Sequence, residues 1–251
     1  MEQKLRRTPV LILTVVLAAA AYFLRRNQLK TAFDAIGVIP GAGGFFSWIT
    51  LLVVLLFAAY AFFLRGRKKY NAINSRNVVP AVLSCGAALL MVVGSVLRLV
   101  GVTQKVDLIL AVGGLLTAAC WGGTAAARFG GKRAHVALYL VPAVVYVVEL
   151  VCQFRLWTRD PVILDYFYDL GALICTMCAV FHLGGYCFDK GSRRLTVFFS
   201  LNGVFFGAAA MAGASGAAVM AYLAAVLWLL ANLWLLLRPA STRAKAPAEQ
   251  E

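Results

Sequence analysis

The sequence predicts an all-α protein, a polytopic bundle of eight transmembrane helices, on three observations. Of its 251 residues 62% are hydrophobic and only 14% charged, against about 25% charged in soluble domains. One soluble core has no room for that much apolar surface, so lipid must solvate part of it. The apolar residues also come in runs of about twenty, the length a helix needs to cross ~30 Å of hydrocarbon. They do not come in the ~10-residue alternating segments of a β-barrel. Finally, Lys and Arg cluster in alternate loops, as they do where cytoplasmic loops retain positive charge.

The spans follow from hydropathy and from what flanks each run. The first covers about residues 9–24 and stops at Arg25-Arg26. Its basic start and small-residue end also resemble a signal peptide, and cleavage there would leave seven helices. Leu29, Phe33 and Ile36 then recur at i, i+4, i+7, the pattern of a short interfacial helix or of an ordered loop. The second span, about 45–64, ends at a run of basic residues, and the third covers about 79–100. The fourth, about 106–127, lies between Lys105 and Arg128. The fifth, about 134–154, contains Pro142, which frees a backbone carbonyl one turn back. The sixth, about 162–188, is introduced by Asp160 as N-cap and Pro161 in the first turn. The seventh, about 195–213, and the eighth, about 217–237, complete a single membrane domain. A polar tail, 238–251, is expected to be disordered on the cytoplasmic side.

Charge orients the bundle. Eight spans put 17 of the 24 Lys and Arg residues on one side. That side is expected to be the cytoplasm, with both termini in it. The net charge of +14 is thereby explained by topology. The basic residues form short loops and no groove or stripe, which argues against nucleic acid. All six cysteines fall in or beside apolar runs, so no external disulfide framework is indicated.

Between helices in lipid, close backbone approach replaces the hydrophobic drive. Gly203 and Gly207 form a GxxxG in the seventh span, and Gly113-Gly114 and Gly122-Gly123 lie in the fourth. These read as contacts within the bundle, with a homo-oligomer interface as the alternative.

Ionisable groups inside a bilayer cost at least ~2.5 kcal/mol each and need a partner, an aqueous cavity or a task. Arg98 in the third span and Glu149 in the fifth sit at similar depth and can pair. Tyr146, Glu149 and Gln153 share one face at i, i+3, i+7, and Asp165 and Asp169 follow at i, i+4. Together Arg98, Glu149, Gln153, Asp165 and Asp169 outline an outward-facing polar pocket for a small solute, a cation or an amine. The competing reading is that Arg98 and Glu149 merely neutralise each other while the aspartates are solvated at the interface.

Cys175, Cys178 and His182 share a face of the sixth span, with ligand types that suit copper(I) or zinc. A fourth ligand is lacking, so no metal is assigned there. Bis-histidine haem would have to use His135 and His182, the only histidines, so no cofactor is implied. No phosphate loop, zinc-protease helix, nucleophile elbow or dinucleotide fingerprint occurs, and the sequence offers no basis for an enzyme.

The stretches Asp160-Pro161-Val162-Ile163-Leu164-Asp165-Tyr166, Gly184-Gly185-Tyr186-Cys187-Phe188 and Gly191-Ser192-Arg193-Arg194-Leu195-Thr196-Val197 carry a resemblance. So do Arg25-Arg26-Asn27-Gln28-Leu29 and Ile39-Pro40-Gly41. The chain resembles an uncharacterised family of polytopic membrane proteins from anaerobic Gram-positive, clostridia-like bacteria. That resemblance implies a bacterial cytoplasmic membrane and no established activity. The expected function is small-solute binding or transport. The alternative is a non-catalytic membrane subunit or sensor contacting a protein partner or anionic lipid.

Overall fold

A computed structural model describes residues 7–31, 44–64, 77–102, 104–157 and 166–237. Among these the regular structure is wholly helical. The eight helices are α1 Arg7–Thr31, α2 Gly44–Phe63, α3 Val78–Val100, α4 Lys105–Gly130, α5 Ala137–Trp157, α6 Phe167–Gly185, α7 Arg193–Ala210 and α8 Gly216–Leu236. A 3-10 turn, Tyr186–Phe188, follows α6. Seven of the eight are long and apolar enough to cross a membrane. The chain is a multi-pass membrane protein.

The remaining helix, α7, has two arginines in its first turn and spans only 18 residues. Its residues from Leu201 to Ala210 are all buried. It can be short because protein covers it: α1, α2, α6 and α8 all pack on it. Helices α3 to α8 each pack on the next, and α8 closes on α3, so six helices form a ring with α1 and α2 outside against α7. The outer faces carry exposed apolar side chains such as Leu55, Leu89, Val144 and Phe181. Inward, Trp121 of α4 stacks on Trp228 of α8 across the ring, centroids 5.0 Å apart and planes 11° from parallel.

Small residues set the spacing. A methyl on Gly203 would lie 2.7 Å from Leu229 Cδ1, and one on Gly207 2.9 Å from Val226 Cγ2. The GxxxG face therefore meets α8 within the same chain. Gly94 of α3 lets the start of α8 approach, its Cβ position lying 3.0 Å from the Ala217 carbonyl. Gly113 and Gly123 do the same for α4 against Val145 and Leu138 of α5.

Two helices run past their expected ends. Helix α1 continues beyond Arg25 to Thr31, because Arg25 is buried rather than left in a loop. The proposed interfacial segment is thus partly the last turn of α1, and the rest of it lies outside the described residues. Helix α4 continues to Gly130 and takes Arg128 into the interior. Helix α6 starts at Phe167, later than expected, and Asp160, Pro161 and Asp165 lie outside the described residues, as does the tail 238–251.

Basic residues of the α4–α5 connection and of the first turn of α7 gather at one end of the bundle. Arg193 Nε donates to the Leu236 carbonyl at 3.0 Å, Arg194 Nε to that of Leu64 at 3.0 Å, and Arg133 to that of Cys187 at 3.2 Å. This is the Arg128 end; Arg98 lies at the other.

Candidate functional site

At the Arg98 end the last turn of α3 and the second half of α5 bring opposite charges together. Arg98 Nη1 lies 3.2 Å from Glu149 Oε1, with both side chains 15% exposed. The pair expected from equal depth is present. Helix α6 contributes Asp169 in its first turn, where a carboxylate also suits the helix dipole. The Tyr222 hydroxyl of α8 donates to Asp169 Oδ1 at 2.6 Å.

Arg25 of α1 supplies a second cation. It is 3% exposed, donates to Gln28 Oε1 at 2.7 Å, and holds its guanidinium 4.6 Å from the centre of the Tyr168 ring. Tyr168 itself stacks on Phe46 of α2, so this corner locks α1, α2 and α6 together.

Arg25, Arg98, Gln153, Tyr166, Asp169 and Tyr222 line one cavity of about 270 Å³, floored by small residues of the α7–α8 connection. Glu149 stands behind Arg98, and a smaller cavity of about 10 Å³ opens between Glu149, Tyr146, Ser95 and Thr117. That volume holds about one water. The buried hydroxyls of Tyr146 and Thr117 have no protein hydrogen-bond partner among the described residues. From Thr117 the polar and aromatic side chains Trp121, Thr124 and Arg128 follow along the buried face of α4. This buried face of α4 crosses the ring and is interrupted by the stacked Trp121–Trp228 pair.

It ends at a buried guanidinium. Arg128 is 1% exposed, donates through Nη1 to Ser84 Oγ of α3 at 2.5 Å and through Nη2 to Asn232 Oδ1 of α8 at 2.6 Å. Both acceptors are pre-set by bonds one turn back: Ser84 donates to the Pro80 carbonyl and Asn232 Nδ2 to that of Trp228, each at 2.7 Å.

Of the five pocket residues expected from sequence, Arg98, Gln153 and Asp169 face one cavity, Glu149 pairs with Arg98, and Asp165 lies outside the described residues. Arg25, Tyr166 and Tyr222 were missed. Arg25 reads as the flank of a span, and nothing local marks the two tyrosines as its neighbours. Arg128 reads as a loop charge, although its spacing from Thr117, Trp121 and Thr124 follows one helical face.

Cys175, Cys178 and His182 do share α6, but the His182 ring stacks on Phe199 at 5.6 Å and 13°. Among the described residues no three His, Cys, Asp or Glu side chains are grouped to hold a metal. His135 caps the start of α5, its Nδ1 accepting from the Ala137 amide at 3.3 Å. Comparison with protein-family models, curated proteins and solved structures returns no match for this chain.

Proposed function

We propose that this protein binds and moves a small polar solute through the cavity at the Arg98 end, in a bacterial cytoplasmic membrane with both termini in the cytoplasm. One observation carries the reading: Arg25, Arg98 and Asp169 from three helices line a single cavity, with Glu149 directly behind. Four charged groups at ~2.5 kcal/mol or more each are a large cost for a bundle that apolar residues would pack more cheaply. The cavity's 270 Å³ falls below the ~300–1,000 Å³ of sites for drug-sized ligands, which suits a small solute. Its walls carry both signs of charge, so an amine, a cation or a zwitterion finds a partner there.

A second reading is a non-catalytic subunit or sensor that contacts a protein or anionic lipid. The observation favouring it is the basic surface at the Arg128 end, where Lys190, Arg193 and Arg194 line a cavity of about 570 Å³.

Glu149→Gln separates the two. On the transport reading the variant stays folded but loses solute-dependent thermal stabilisation, or uptake, in a screen of amines, cations and zwitterions against purified protein or vesicles. If wild-type protein responds to none of these solutes while Glu149→Gln still binds its partner or lipid normally, the pocket reading fails.

A further inference from the structure

Arg128 is a buried cation for which the described residues supply no counter-charge. Their carboxylates are engaged elsewhere: Asp107 accepts from the Gln104 amide at 2.9 Å, Glu149 faces Arg98, Asp169 accepts from Tyr222, and Asp189 faces Arg133 at 3.4 Å. The partners of Arg128 are the neutral oxygens of Ser84 and Asn232.

Buried donors along α4 and α8 lack acceptors. Arg128 Nε is buried with no hydrogen-bond partner, and so are the indole N–H groups of Trp121 and Trp228. Trp121 lies two turns from Arg128 on the same face of α4, and Trp228 one turn from Asn232 on α8. The carbonyl end of α4 offers some relief, since a cation in the last turn interacts favourably with the helix dipole. Burying an ion costs more than the dipole returns, even after relaxation. Neutral acceptors close only part of that gap, because they lose water themselves.

A supply of anions lies next door. Arg193, which lines the basic cavity with Lys190 and Arg194, bonds the Leu236 carbonyl, one turn along α8 from Asn232. Such a mouth concentrates anions from solution.

We propose that Arg128 anchors an anion-binding site inside the ring, taking a small monovalent anion of chloride or formate size through the Lys190–Arg194 mouth. The anion accepts from the Nε edge of the guanidinium and supplies the charge that Ser84 and Asn232 cannot. This site is at the opposite end from the solute cavity and stands whether or not that cavity transports anything.

The test is thermal unfolding of the purified full-length protein in detergent, titrated with sodium chloride or formate against sodium gluconate at constant ionic strength. Radiolabelled chloride binding to the same protein gives stoichiometry. We expect a saturable rise in Tm with chloride and formate and none with gluconate, and about one chloride bound per chain. Arg128→Met abolishes both. Should that variant not fold, Ser84→Ala decides: it removes one neutral acceptor but keeps the cation. Chloride binding then tightens by up to about tenfold, because the anion carries the share of the charge that Ser84 had neutralised. Absence of anion-specific stabilisation in the wild type overturns the proposal. So does an unchanged chloride affinity in Arg128→Met or in Ser84→Ala.

Discussion

Replacing Gly203 by Ala tests how closely α7 and α8 approach. The added methyl would sit 2.7 Å from Leu229 Cδ1 and 3.5 Å from Thr176 Oγ1. A flexible leucine tip can usually swing aside, but Leu229 is 0% exposed and has protein on every side. Overpacking of this kind costs about 1–3 kcal/mol. Against it stands the ~0.5–1 kcal/mol that alanine gains over glycine inside a helix. The net expectation is a loss of about 0.5–2 kcal/mol. Gly86→Ala on α3 is the internal control, since no atom lies within 4 Å of its Cβ position and only the gain remains.

The double variant Gly203→Ala/Leu229→Ala carries the sharper sign. Leu229→Ala alone leaves a cavity and costs ~2–5 kcal/mol. With the methyl of residue 203 filling part of that space and its clash gone, the double variant should be more stable than the sum of the two single losses by about 1 kcal/mol or more. The assay is reversible unfolding in mixed micelles, with the oligomeric state followed by light scattering. Equal stabilisation of Gly203→Ala and Gly86→Ala, or additivity in the cycle, would falsify the intramolecular contact. A change of oligomeric state in Gly203→Ala would show that this face serves a second copy instead.

Arg98→Met leaves Glu149 without its cation, and Glu149→Gln leaves Arg98 without its anion. Each single change should cost about 1–3 kcal/mol, with a coupling of about 0.5–3 kcal/mol in the cycle; full additivity in the unfolding titration would mean the 3.2 Å contact contributes nothing. Tyr222→Phe removes the donor to Asp169 and should lower stability by about 1.5–3 kcal/mol, an effect that vanishes when Asp169→Ala has already removed the acceptor. For orientation, a fluorescent-protein fusion at the C-terminus is expected to fluoresce and a periplasmic phosphatase fusion there to be inactive. The reverse pattern would invert the bundle.

How far the sequence went is clearest at the two arginines it misjudged. Hydropathy windows end where a charge begins, so Arg25 closed the first span and Arg128 closed the fourth. In the structure both helices continue, because the charges find partners: Gln28 of α1 itself and Tyr168 of α6 for Arg25, Ser84 of α3 and Asn232 of α8 for Arg128. Those partners lie up to 143 residues away in the chain, counting from Arg25 to Tyr168, and no local pattern encodes the meeting. Arg98 and Glu149 were legible because depth alone, read by counting residues from helix ends, brings them level. The internal role of Gly203 and Gly207 was legible as chemistry, while the choice of α8 as their neighbour was not. Likewise Cys175, Cys178 and His182 share a face as their spacing requires, yet the aromatic ring of Phe199 on α7 takes the histidine face.

The sheathing of α7 has a consequence for how the protein meets membranes of different thickness. An 18-residue helix is about 27 Å long at 1.5 Å per residue, a little under the ~30 Å of hydrocarbon that lipid-facing spans must match. With α1, α2, α6 and α8 around it, it answers to side chains and not to acyl chains. Thickening or thinning the bilayer therefore tilts the outer helices while α7 keeps its height, so the strain appears as sliding between α7 and its neighbours. The residues on that sliding surface at one end include Asp169 of α6 and Tyr222 of α8, which makes lipid chain length a physical input to the cavity they line.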